Sequence, residues 1–101
     1  MREDIEPIFS KDFVDLKIDV DSMQGGKDLM SSFGAGGGVP FLVIVRPDGT
    51  KVIDSKEPTR GNIGSPKADW EIAYWSVMMR ASVKRITEDE ILYMAKTWGE
   101  I

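Results

Sequence analysis

The chain has 101 residues, 42% of them hydrophobic, which suits one globular domain with a modest core. Its 13 basic and 17 acidic residues leave a net charge of -4, so it has no electrostatic footprint for DNA or RNA and no nucleic-acid partner is expected. Without cysteine or histidine, the sequence excludes disulfides, thiolate catalysis, Cys/His zinc sites and histidine acid-base or triad chemistry.

Met1-Arg2-Glu3-Asp4 is charged and leads into no apolar run of the signal-peptide kind, and no segment reaches bilayer-spanning length. A soluble chain without a membrane partner is expected, in a compartment that the missing cysteines do not specify. Residues 1–12, with acids before Pro7, are expected to form an arm or a helix end, too short to nucleate alone. From Phe13 to Val20 the pattern alternates: Val14, Leu16, Ile18 and Val20 share one face, and Asp15, Lys17 and Asp19 the other. That spacing predicts a strand with one wet face. After Asp21 to Gly26 breaks it, Lys27 to Phe33 spaces Leu29, Met30 and Phe33 as a short helix, which Gly34 would stop in left-handed geometry.

Gly34 to Gly38 is a glycine-rich loop, followed by Val39, Pro40 and the apolar run Phe41 to Val45. Proline cannot donate a backbone hydrogen bond and suits a strand's first residue. An all-apolar run predicts a strand covered on both faces, so Phe41 to Val45 is expected to be the central strand. Pro47-Asp48-Gly49 then predicts a tight turn, with a returning strand from about Thr50 to Asp54. Ser55 to Pro66 reads as a polar loop.

Between Pro66 and Arg85 two apolar stripes occur at helical spacing, Trp70, Tyr74, Val77 and Ala81, then Ile72, Trp75, Met79 and Val83. Asp69, Ser76, Arg80 and Lys84 form the polar strip. A helix apolar on two sides is expected to be sandwiched, between the sheet and the last helix or a second subunit. Thr87-Glu88-Asp89-Glu90 matches a capping box. It opens a final helix, within residues 86–101, whose stripe is Ile91, Met94, Ala95 and Trp98 and whose end is marked by Gly99.

Strand, short helix, Gly-Val-Pro, apolar strand, Pro-Asp-Gly, strand and helix, in that order, resemble the C-terminal portion of a thioredoxin-like domain. Phe13 to Asp21 looks like the third strand of that fold and Gly38-Val39-Pro40 like its cis-proline loop. The closest likeness is to bacterial thioredoxin-related proteins with an extra helix, which Gly61-Asn62-Ile63-Gly64-Ser65-Pro66 and Ile86 to Trp98 resemble. The resemblance covers roughly residues 10–98. It implies a truncated thioredoxin-like α/β fold: a single partial domain, residues 1–101, with a small mixed sheet flanked by helices and an extra C-terminal helix.

The resemblance also implies that Gly38, Val39 and Pro40 contact an extended peptide and that Pro40 is cis, whereas without it a trans strand-start proline is the expectation. The Cys-x-x-Cys motif of the family would lie upstream of Phe13, so the redox half is expected to be missing. No catalytic residue is assigned, because thiol-disulfide exchange requires a thiolate nucleophile. Removing the strand that would lie between Phe13 to Val20 and Phe41 to Val45 bares two strand edges, so that either these two strands pair directly as neighbours or another copy fills the gap, the expectation being a homodimer through those edges or through the Trp70 to Val83 helix.

Other site readings are weaker. A phosphate-cradling loop follows a strand and opens a helix, the reverse of the order around Gly34 to Gly38. Asp15, Asp19 and Asp21 lack the calcium-loop partners, since Met23 stands where an oxygen ligand is needed. Trp70, Tyr74, Trp75 and Trp98, and Met78, Met79 and Met94, read as core or interface rather than as stacking platforms. No cofactor or metal is implied. The leading function is thus a redox-inactive thioredoxin-like protein whose longer relatives would be thiol-disulfide oxidoreductases; the alternative is a self-associating structural or interaction module. An unrelated acid-base enzyme has no singled-out carboxylate pair to carry it.

Overall fold

The computed structural model describes residues 3–16, 18, 23–34 and 40–99. Its elements are α1 (Glu6–Phe9), α2 (Gly26–Ser32), β1 (Val43–Val45), β2 (Lys51–Asp54), β3 (Lys56–Glu57), β4 (Gly61–Asn62), α3 (Asp69–Ser82) and α4 (Glu88–Trp98). Pro7 lies in the first turn of α1, where its missing amide costs nothing. After α2, Gly34 takes φ +91, as expected of a glycine ending a helix.

β1 and β2 form a hairpin whose reversal is set by side-chain and backbone chemistry together. The Gly49 amide donates to the Arg46 carbonyl at 2.9 Å, the Thr50 amide to Asp48 Oδ1 at 2.9 Å, and the Arg46 amide to the Thr50 carbonyl at 2.8 Å. Gly49 has φ +89, which a residue with a β-carbon adopts only under strain. Val43 faces Asp54, Ile44 faces Ile53 and Val45 faces Lys51, so Val52 is an extra residue that bulges from β2.

Three sheet expectations are corrected. Phe41 to Val45 is not a central strand: β1 covers only its last three residues, and β2 is its sole neighbour among the described residues. Leu42 and Val45 are exposed, because among the described residues no second sheet or helix covers both faces. Phe13–Leu16 and Ile18 belong to no strand, and Val14 and Leu16 stand in solvent. Alternation specifies which side chains share a face, but a strand also needs a ladder partner. Among the described residues the sheet is therefore not mixed; there are two antiparallel pairs, β1–β2 and β3–β4. The second pair lies inside the segment expected to be a loop, with Gly61 at φ +95 on the return from the Pro58–Arg60 turn.

The core lies between α3, α4 and the segments that cross them: Ile5, Ile63, Trp75, Met78, Met79, Ile86, Ile91, Met94 and Ala95 are buried together. α3 packs against both β2 and α4, the expected sandwich. Its buried surface follows the Ile72, Trp75, Met79 stripe with Met78 added, while Val77 and Ala81 of the other stripe are exposed. Ser76, expected on the polar strip, is buried; its hydroxyl is satisfied by donating to the Ile72 carbonyl at 3.2 Å. α4 follows its sequence closely. The Glu90 amide donates to Thr87 Oγ1 at 3.2 Å and the Thr87 amide to Glu90 Oε1 at 3.0 Å, completing the capping box. Ile91, Met94 and Ala95 face inward, and Trp98 meets Trp75 edge-on at 6.0 Å. Among the described residues, no helix is long and apolar enough to cross a membrane.

Candidate functional site

Of the three residues expected to meet a peptide, Gly38 and Val39 lie outside the described residues, and Pro40 is exposed at the approach to β1. Its position is held by the side chains of Ser55, between β2 and β3, and Asn62, in β4. Ser55, wholly buried, accepts the Leu42 amide on Oγ at 2.9 Å and donates to Asn62 Oδ1 at 2.7 Å. The Asn62 side-chain amide donates to the Pro40 carbonyl at 2.9 Å, and the Gly64 amide donates to Asn62 Oδ1 at 3.1 Å. Ser55 also donates its backbone amide to the Leu42 carbonyl at 2.8 Å and accepts the Ile63 amide at 2.9 Å. Two side chains thus bind the strand approach, the β2–β3 junction and the following loop into one bracket, with the serine hydroxyl both giving and receiving.

The bracket determines which backbone groups of the strand remain available. Antiparallel pairing alternates hydrogen-bonded and non-hydrogen-bonded residues. Leu42 directs its amide and carbonyl towards Ser55, and Ile44 shares that orientation opposite Ile53. Phe41, Val43 and Val45 therefore turn their backbone groups the other way, where no strand lies among the described residues. Their side chains share one face of β1, opposite the face on which Ile44 and Ile53 meet the core. The result is an apolar sheet edge with outward-pointing donors and acceptors.

Behind β2 and β3 lies a second polar cluster. Tyr74 on α3 directs its hydroxyl at the carbonyls of Asp54, 3.1 Å away, and Lys56, 3.3 Å away. Burial, and then the charges of Asp54 and Glu57, push its ionisation above the ordinary tyrosine range. Lys51 forms an ion pair with Asp54 and donates to the Phe33 carbonyl at 2.9 Å, linking α2 to the hairpin. Glu57 accepts the Thr59 amide on Oε1 at 2.8 Å; its buried Oε2 has no hydrogen bond and faces Arg60 at 3.7 Å. The Arg60 guanidinium in turn lies 5.1 Å from the Trp70 ring centroid, within reach of the ring's electron-rich face. These contacts fasten the hairpins to α3; they set no nucleophile beside a base.

Asp15 is exposed, and Asp19 and Asp21 lie outside the described residues. Among the described residues no three carboxylates converge in a metal-binding group. Pro40 stands out in the sequence, whereas Ser55 and Asn62, which hold it, do not. Asn62 falls in the stretch that carries the thioredoxin-like resemblance; Ser55 has no sequence signal, because its role depends on a hairpin that returns Asn62 to its side. Compared with protein families, curated proteins and solved structures, the chain matches none.

Proposed function

We propose that the chain is a non-catalytic, thioredoxin-like interaction module that receives an extended peptide along the open edge of β1, beside Pro40. The observation that carries this reading is the outward orientation of the Phe41, Val43 and Val45 backbone groups, with no neighbouring strand among the described residues. Addition of a strand to such an edge obtains affinity from main-chain hydrogen bonds and selectivity from the side chains that alternate along it. The Ser55–Asn62 bracket supports the reading further, because a fixed edge loses less conformational entropy on binding than a mobile one. The thioredoxin-like part of the reading rests on the order of sequence motifs alone, from Gly38-Val39-Pro40 through Pro47-Asp48-Gly49 to the last helix. The absence of cysteine makes the module redox-inactive.

The test is titration of the labelled protein with a short, extended, apolar peptide, followed by backbone NMR. Amide shifts confined to Phe41–Arg46, with slower hydrogen exchange at Val43, are expected. The same peptide N-methylated at alternate residues loses its edge donors and should not bind. Equal binding by both peptides, or shifts centred elsewhere, would remove the reading, as would measurable thiol-reductase turnover.

A further inference from the structure

We infer that the strand taken up by the β1 edge is the segment of a second copy of this chain that carries Val14, Leu16 and Ile18, so that two copies exchange strands in a homodimer. This rests on the preceding reading of the edge and names its occupant. Val14 is 95% and Leu16 77% exposed, although both are large and apolar. With Ile18 they occupy alternate positions along a segment that pairs with nothing among the described residues. Among the described residues, one chain therefore carries both an unpaired strand-like segment and an unpaired strand edge.

The base of the segment is fastened away from its own hairpin. Asp12 accepts the amides of Lys84, Arg85 and Ile86, between α3 and α4. Lys11 pairs with Glu90 at 2.6 Å, and Phe13 stacks on Phe9 with ring centroids 4.7 Å apart. The segment thus starts beside α4, whereas the hairpin packs on α3 through β2. Among the described residues the edge of β1 is left unfilled, and a second copy can supply the same segment from outside.

The register follows from pattern and charge. Antiparallel pairing with Leu16 opposite Val43 puts Val14 opposite Val45 and Ile18 opposite Phe41, so the apolar face of the segment joins the apolar face of β1. Val43 then exchanges both backbone hydrogen bonds with Leu16. Asp15 lies opposite Ile44 and diagonal to Arg46, within reach of a long side chain. Asp15 and Arg46 are both exposed and form no ion pair among the described residues. A two-fold axis makes the exchange reciprocal, with Val14 and Leu16 packing beside Val45 and Val43 in both copies.

Introduced thiols report the register directly, because the chain has no cysteine of its own. A hydrogen-bonded antiparallel pair spaces its α-carbons at about 5.5 Å, within disulfide range. Mixed and oxidised, Leu16→Cys and Val43→Cys proteins should give a covalent dimer containing one of each, with little product from either alone. The parent should sediment as a dimer at micromolar concentration, and Leu16→Ser should weaken that dimer by about tenfold. A synthetic peptide of residues 13–18 should dissociate the parent dimer, a measurement independent of how well the variants fold. A parent monomeric at every concentration, a Leu16→Cys/Val43→Cys chain that closes on itself, or a dimer that neither cross-links at this pair nor responds to the peptide would each overturn the inference. A monomer that still takes up foreign peptides at β1 overturns this inference alone; loss of both dimer and peptide uptake overturns the reading beneath it as well.

Discussion

Asp12 ties the N-terminal arm to the linker between the last two helices through one carboxylate and three backbone amides. Partial burial works against its charge, but the amides of Ile86, Arg85 and Lys84, with the Arg85 guanidinium, outweigh it and hold the carboxyl below the ordinary aspartate range. A carboxyl depressed in the folded state stabilises the fold above its unfolded pKa, about 3.9, and loses that contribution as pH falls through the folded value. Asp12→Asn should therefore cost about 1 kcal/mol at pH 6, a modest figure because water reaches the site, and should flatten the decline in stability below about pH 4. Urea unfolding across pH checks this; equal slopes for parent and variant would refute it. Ser55 lies at the other extreme of burial. Ser55→Ala strands the Leu42 amide and should cost about 1–3 kcal/mol while accelerating hydrogen exchange at Leu42. Unchanged exchange there would mean that the bracket does not hold the strand approach.

Among the elements, α4 depends most openly on local chemistry. Thr87→Ala removes half of its capping box and should cost about 1 kcal/mol, lowering the melting temperature by roughly 4–8 °C. α3 depends on packing instead. Met78 is 1% exposed, so Met78→Ala should cost about 2–5 kcal/mol, whereas Val77→Ala, one residue away and 46% exposed, should remain within about 0.5 kcal/mol. Similar losses at both sites would contradict the placement of α3. The helices were legible for a plain reason. A 3.6-residue period, a Thr-x-x-Glu cap and a terminal glycine are local, so α4 and the stripe of half-buried Ile72 with buried Trp75 and Met79 could be read from spacing alone. The burial of Ser76 could not, because its hydroxyl meets its need within the helix and spacing carries no sign of that.

At the scale of the whole molecule, two unpaired parts meet in one proposal. If copies exchange strands, unfolding is coupled to dissociation, and the melting temperature should rise with protein concentration. A melting temperature independent of concentration over a hundredfold range would argue for an independent monomer. The Pro47-Asp48-Gly49 turn, the short hairpin and the cap of the last helix were determined by the sequence itself, since each rests on residues close together in the chain. What lies beside β1, whether Val14 and Leu16 are covered, and which residues brace Pro40 were decided only by the tertiary structure. Strand alternation fixes a face but not a neighbour, and hydrogen bonds such as those from Ser55 to Leu42 and Asn62 exist only after distant segments have been brought together.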